Sequence, residues 1–139
     1  MNFDCVGRDS KGQMYMKFHK PFSIIEQIQL LERSILVNSF AYYELNENIL
    51  SDFQYDANAI QLSELKRDHP EDFKRSKYYD YFYDYCQDEV HYTSGFDLIE
   101  RVRKVDEDLY RRIWMDAALA LDLKNRGREV DNDGRTETD

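Results

Sequence analysis

Tyr42, Tyr43, Asp52, Tyr55 and Asp56 are the side chains of this sequence whose types and spacing point most directly to chemistry. Phenol rings attract cations through their faces, and carboxylates and phenols together hydrogen-bond hydroxyl groups. Ser51-x-x-Gln54 reads as a capping box, so a helix opens at Asp52. Asp52, Tyr55 and Asp56 then stand at i, i+3 and i+4, which puts two acids and a phenol on one side of its first turns. The Tyr42-Tyr43 pair ends the helix before it. A short polar connector between the two allows all five side chains to face one another.

The elements that must position these residues follow from hydrophobic periodicity. Ile24, Ile28, Leu31 and Ile35 recur at i, i+4, i+7 and i+11 after Pro21, which predicts a first helix over about 22–45. Ile25, Leu36 and Phe40 widen its apolar stripe, so it should pack on more than one partner and act as the spine of the domain. The second helix is predicted over 52–68, with Tyr55, Ala59, Leu62 and Leu65 inward and an end near His69 imposed by Pro70. The short connector makes the two helices antiparallel neighbours.

Before this pair, residues 1–20 suit a short hairpin, with Phe3 to Val6 and Met14 to Phe18 as its arms. After it, the run from Tyr78 to Tyr85 fits neither helix period nor strand alternation, and reads as a helix or an ordered loop packed by its rings. Thr93 or Ser94 should cap a short helix over about 95–103, with Phe96, Ile99 and Val102 inward. Asp106, Glu107 and Asp108 then favour the start of a longer helix. Its packed side would carry Tyr110, Ile113, Trp114, Ala117 and Leu121, and Lys124, Arg126 and Gly127 would close it. The expected fold is mainly all-α, a compact bundle of four or five helices. The expected division is an N-terminal segment 1–20, one helical domain 21–126 and a flexible acidic tail 127–139.

Composition narrows the function. The 139 residues carry 28 acids against 19 bases, a net charge of −9, which disfavours a protein whose own task is gripping nucleic-acid phosphates. The tyrosine-rich run is interleaved with Asp80 and Asp84 instead of basic residues, which disfavours a base-stacking platform. Cys5 and Cys86 form no CxxC, and His19, His69 and His91 lack metal-ligand spacing, so no metal is expected. Glu129 to Gly134 imitates the front of a calcium loop but lacks the closing acid. No stretch approaches the roughly 20 apolar residues of a membrane span, and a cytoplasmic protein is expected.

One resemblance rests on the opening residues. Tyr42-Tyr43, Ile49-Leu50-Ser51-Asp52, Tyr55-Asp56, then Leu62, Leu65 and His69-Pro70-Glu71 resemble the N-terminal Ia subdomain of bacterial NAD-dependent DNA ligases. The match runs without a gap over about 30–72, and the ligase-like helix pair would span 22–72. The resemblance implies a helical module that holds the nicotinamide mononucleotide (NMN) half of NAD. Tyr42 would stack on nicotinamide, and Tyr43, Asp52, Tyr55 and Asp56 would contact the ring, ribose or phosphate region. The same residues also have a structural use, since acids favour helix N-termini and tyrosines fill helix interfaces.

The departures are informative. Asn58 replaces the leucine usual two residues after the Tyr-Asp pair. Lys104-Val105-Asp106-Glu107 lacks the glycine of the Lys-x-Asp-Gly signature that forms a lysyl-adenylate, so no catalytic residue is assigned. The expectation is a non-catalytic accessory or sensor module that binds NMN or NAD, alone or beside a separate adenylation domain. The alternative is an acidic, Tyr-rich interaction protein, of the kind encoded by phages and mobile elements, that blocks the groove of a basic nucleic-acid-binding partner.

Overall fold

A computed structural model describes the backbone of residues 6–8, 14–16, 22–85 and 94–136, and the side chains of 22–85 and 94–127. Its element order is β1 (Val6–Arg8), β2 (Met14–Met16), α1 (Ile24–Glu44), α2 (Asp52–Asp68), α3 (Pro70–Lys74), α4 (Tyr79–Phe82), α5 (Gly95–Val105) and α6 (Glu107–Thr136). The fold is the expected mainly helical one, and α3 and α4, helices of five and four residues, raise the helix count to six among the described residues. The two strands pair antiparallel with Val6 opposite Met16, Gly7 opposite Tyr15 and Arg8 opposite Met14. Pro21, Cys5, Cys86, His19, His91 and Thr93 lie outside the described residues.

α1 is the spine. It packs against α2, α5 and α6, and buries Ile28, Leu31, Ile35, Leu36 and Phe40 along its length. Its start is set by a capping box: the Ser23 hydroxyl accepts from the Glu26 amide, and Glu26 accepts from the Ser23 amide. Its end is set by Asn46, which adopts φ 55°, a left-handed turn that asparagine tolerates better than most residues. α2 begins at the predicted Ser51 box, with Gln54 N donating to Ser51 Oγ at 3.1 Å and Ser51 N to Gln54 Oε1 at 3.1 Å. Two contacts between the helices give their direction. Ser39 pairs with Tyr55 near the connector, and Ser34 with Asn58 one turn deeper, so α1 and α2 run antiparallel.

The tyrosine run resolves into a turn and the single-turn α4. Tyr78, Tyr81, Phe82 and Tyr85 enter the core, and Tyr83 stays exposed. Cations hold both flanks of the run. Lys66 donates to the Tyr83 and Tyr85 carbonyls at 3.3 and 2.7 Å, and Arg101 donates to the Tyr81 carbonyl at 2.9 Å while gripping both Asp84 oxygens. Backbone satisfaction thus replaces the periodicity that the sequence lacks there.

Three expectations require correction. Phe96 is 50% exposed, because the buried side of α5 runs through Gly95, Leu98, Ile99 and Val102. Trp114 is also 50% exposed, since the α6 stripe is Leu109, Ile113, Ala117 and Leu121 and the tryptophan stands one residue, about 100°, off that line. α6 does not close at Gly127: its helical backbone continues to Thr136. An interior glycine costs a helix only about 1 kcal/mol, less than propagation along several turns returns. The helical backbone also takes Glu129 to Gly134 out of calcium-loop geometry.

Candidate functional site

The C-terminal half of α1 carries Asn38, Ser39, Tyr42 and Tyr43 to one rim of a cleft. The connector supplies Asn48, Ile49 and Leu50, and the first turns of α2 supply Asp52, Tyr55 and Asp56. Gly95, at the start of α5, completes the wall. All five residues singled out in the sequence therefore line one cavity, whose volume is about 160 Å³.

Each wall has a local cause. Tyr42 and Tyr43 are adjacent on the last turn of α1, and their rings meet edge to face at 4.8 Å and 89°. Tyr43 also meets Phe96 at 5.9 Å and 70°, which explains where the exposed Phe96 ring goes. Tyr42 is 54% and Tyr43 45% exposed, so neither ring fills the core. Tyr55 is more deeply set. Its hydroxyl shares a 3.0 Å hydrogen bond with Ser39 Oγ, which orients the ring between α1 and α2.

The connector is held from both sides. Asn38 Oδ1 accepts from Leu50 N at 3.2 Å, while Asn38 Nδ2 donates to the Ser34 carbonyl at 2.7 Å. Lys124 of α6 donates its ammonium to the Asn48 carbonyl. The lysine predicted to end α6 thus fastens the cleft wall instead.

Gly95 permits the close approach of α5. A Cβ there would lie 2.8 Å from Ser39 Cβ and 3.1 Å from Tyr43 Cε2, and would collide with Ser39 Oγ. Only glycine lets the α5 start rest on the α1 residues that form the site. Sequence reasoning missed Asn38, Ser39, Asn48 and Gly95 as wall residues. Gly95 did carry a signal: a glycine directly after a capping serine is a poor helix former, which hints at a packing reason.

The electrostatics of the cleft are lopsided. Asp52 and Asp56 take part in no ion pair among the described residues, whereas Asp68, Asp72, Asp84, Asp108, Asp116 and Asp122 each do. None of the described residues that line it is basic. A cleft lined by phenol rings and by two carboxylates outside any ion pair among the described residues is suited to a small cationic or hydroxyl-rich ligand.

Elsewhere, the N-terminal half of α1 uses polar groups differently. Glu32 is fully buried and accepts from Ser76 Oγ, which in turn accepts from the Tyr78 amide at 3.1 Å. Burial pushes its carboxyl up to about 8, and the serine hydrogen bond offsets only part of this. Gln29 accepts from Lys77 N at 3.0 Å, and Arg33 donates to Tyr78 Oη at 3.3 Å and Asp116 at 2.6 Å. These contacts clasp the 75–78 turn to α1.

Among the described residues no group of three or more His, Cys, Asp and Glu side chains is placed to hold a metal ion, and no helix is long and apolar enough to cross a membrane. No family model matches the chain, and neither a curated protein nor a solved structure matches it.

Proposed function

We propose that this chain is a non-catalytic module that binds the nicotinamide end of NMN or NAD in the cleft between α1, α2 and α5. One observation carries the reading: Tyr42, Tyr43, Asp52, Tyr55 and Asp56, drawn from two helices and picked out by their spacing, line one cavity together. Tyr42 offers an open ring face to the pyridinium, and the two aspartates supply the opposite charge. Tyr43 and Tyr55 border the same space, where a ribose would find hydroxyl partners.

At about 160 Å³ the cavity is below the roughly 300 Å³ at which pockets begin to enclose drug-sized ligands. It suits one ring, with the rest of the nucleotide outside. Binding without turnover fits an accessory or sensor role, or the nicotinamide half of a site completed by a separate adenylation domain. The chain alone should not seal nicked DNA, and ligation by the purified chain would overturn the non-catalytic part of this reading.

Calorimetric titration with NMN and NAD tests the binding part. The expected result is saturable binding that Tyr42→Ala and Asp56→Ala weaken at least tenfold; no heat up to millimolar ligand would sink it. The same unpaired carboxylates favour a second reading, an acidic surface that occupies a basic groove on a nucleic-acid-binding protein. A partner of that class, captured at low salt and released at high salt, would support it.

A further inference from the structure

We infer that the outward face of α6 is the surface through which two copies of this chain associate, as an antiparallel helix pair centred at the level of Ala117. The inference is independent of the nicotinamide reading.

α6 carries two apolar rows. Leu109, Ile113, Ala117 and Leu121 follow one another at four-residue steps and are buried against the bundle. Met115, Leu119 and Leu123 repeat the same step, yet they are 62%, 58% and 58% exposed. At about 100° per residue, Leu119 stands about 160° from both Ala117 and Leu121, so the second row points away from the core. A single exposed leucine is ordinary, but three large apolar side chains in one row along a helix make a contact surface.

The charges along this face select the occupant. In an antiparallel pair centred at Ala117, Met115 meets Leu119 of the second copy, and Asp108 meets its Arg126. On one flank Arg111 meets Asp122, and on the other Arg112 lays its aliphatic stem along Leu123. Within each chain Asp108 is already 3.9 Å from Arg111, and Asp122 is 3.0 Å from Arg126. The cross-pairs join these into a closed ring of four alternating charges, which the two-fold axis repeats. All four side chains are more than half exposed and open to such pairing. Charges in a network contribute where an isolated surface pair contributes little. A parallel pair in register instead sets Asp108, Asp122 and Arg126 each against its own copy, and like charges repel.

The contact is one helix wide and, from 108 to 126, roughly 27 Å long. It belongs to the small class of interfaces, below about 1,200 Å² in all, so the dimer is reversible and depends on concentration.

Sedimentation velocity of the full chain over a concentration series tests this. At about 0.15 M salt the repulsion between two chains of net charge −9 is screened beyond about 8 Å. The parent should pass from one chain to two as its concentration rises, and Leu119→Lys should weaken the dimer at least tenfold. Asp108→Arg and Arg126→Glu should each shift the chain to monomer, since each sets like charges opposite one another. Their equimolar mixture should regain the dimer, because the two changes together restore opposite charges across the pair. All three positions are exposed, so circular dichroism of each variant should match the parent. A parent that stays monomeric at hundreds of micromolar leaves the face to a different partner and overturns the inference. A dimer that Leu119→Lys leaves intact, or a mixture that stays monomeric, overturns it as well.

Discussion

The two halves of α1 treat acidic and aromatic groups in opposite ways. In the N-terminal half, Glu32 is sealed away and spends its contact on Ser76, and Tyr78 is buried beside it. In the C-terminal half, Tyr42 and Tyr43 are about half exposed, and Asp52 and Asp56 at the start of α2 remain outside any ion pair among the described residues. A buried acid is committed to the fold and carries its desolvation cost in every molecule. An exposed acid at the wall of a cavity carries no such cost and stays available to a ligand. Acidic and tyrosine side chains gathered around one helix are thus buried at one end and exposed at the other.

The comparison can be broken or sharpened by four measurements. The largest effect should come from Glu32→Gln. The native carboxyl titrates near 8 against an ordinary 4.5, so between these values the folded state keeps a proton that the unfolded state has released. Stability is therefore full below about 4.5, falls as pH rises through the window and levels off above 8. Glutamine removes this cost, and urea unfolding at pH 7 should show a gain on the order of 3 kcal/mol that vanishes toward pH 4.5. A variant with unchanged pH dependence would mean that Glu32 is not the buried group described.

Gly95→Ala should come next. Its Cβ would press on Ser39 and Tyr43, and the expected loss is about 1–3 kcal/mol together with weaker ligand binding. Unfolding and titration of the same variant would show whether the cleft and the bundle share this contact. Tyr42→Ala is the converse case. Its ring is 54% exposed, so stability should move by no more than about 0.5 kcal/mol while NMN affinity drops at least tenfold.

The smallest effect belongs to Asp116→Asn. The Arg33–Asp116 pair is short at 2.6 Å, but the aspartate side chain is about half exposed. Exposed pairs of this kind contribute about 0–1 kcal/mol, and thermal unfolding at low and high salt should differ little between variant and parent.

Much of the frame was legible before any coordinates. The capping box at Ser51 and a cap at Thr93 or Ser94 marked two helix starts, because side-chain caps are local and depend on spacing alone. The α1 stripe and the Pro70 boundary were legible for the same reason. The errors came where a local signal was outvoted. Phe96 and Trp114 are large and apolar, yet the packed line of their helices passes one residue away, and Gly127 is a helix end only when nothing continues the helix beyond it.

By itself, then, the sequence determined α1, α2, the starts of α2 and α5 and the five residues that share a cleft, because those follow from periodicity and from contacts three or four positions apart. Only the tertiary structure decided that α5 would dock through Gly95 onto Ser39, that Lys124 would fasten Asn48, and that Glu32 would be sealed while Asp52 and Asp56 stayed open. Those outcomes depend on partners tens of residues apart, and only the burial of a common core brings such partners within range.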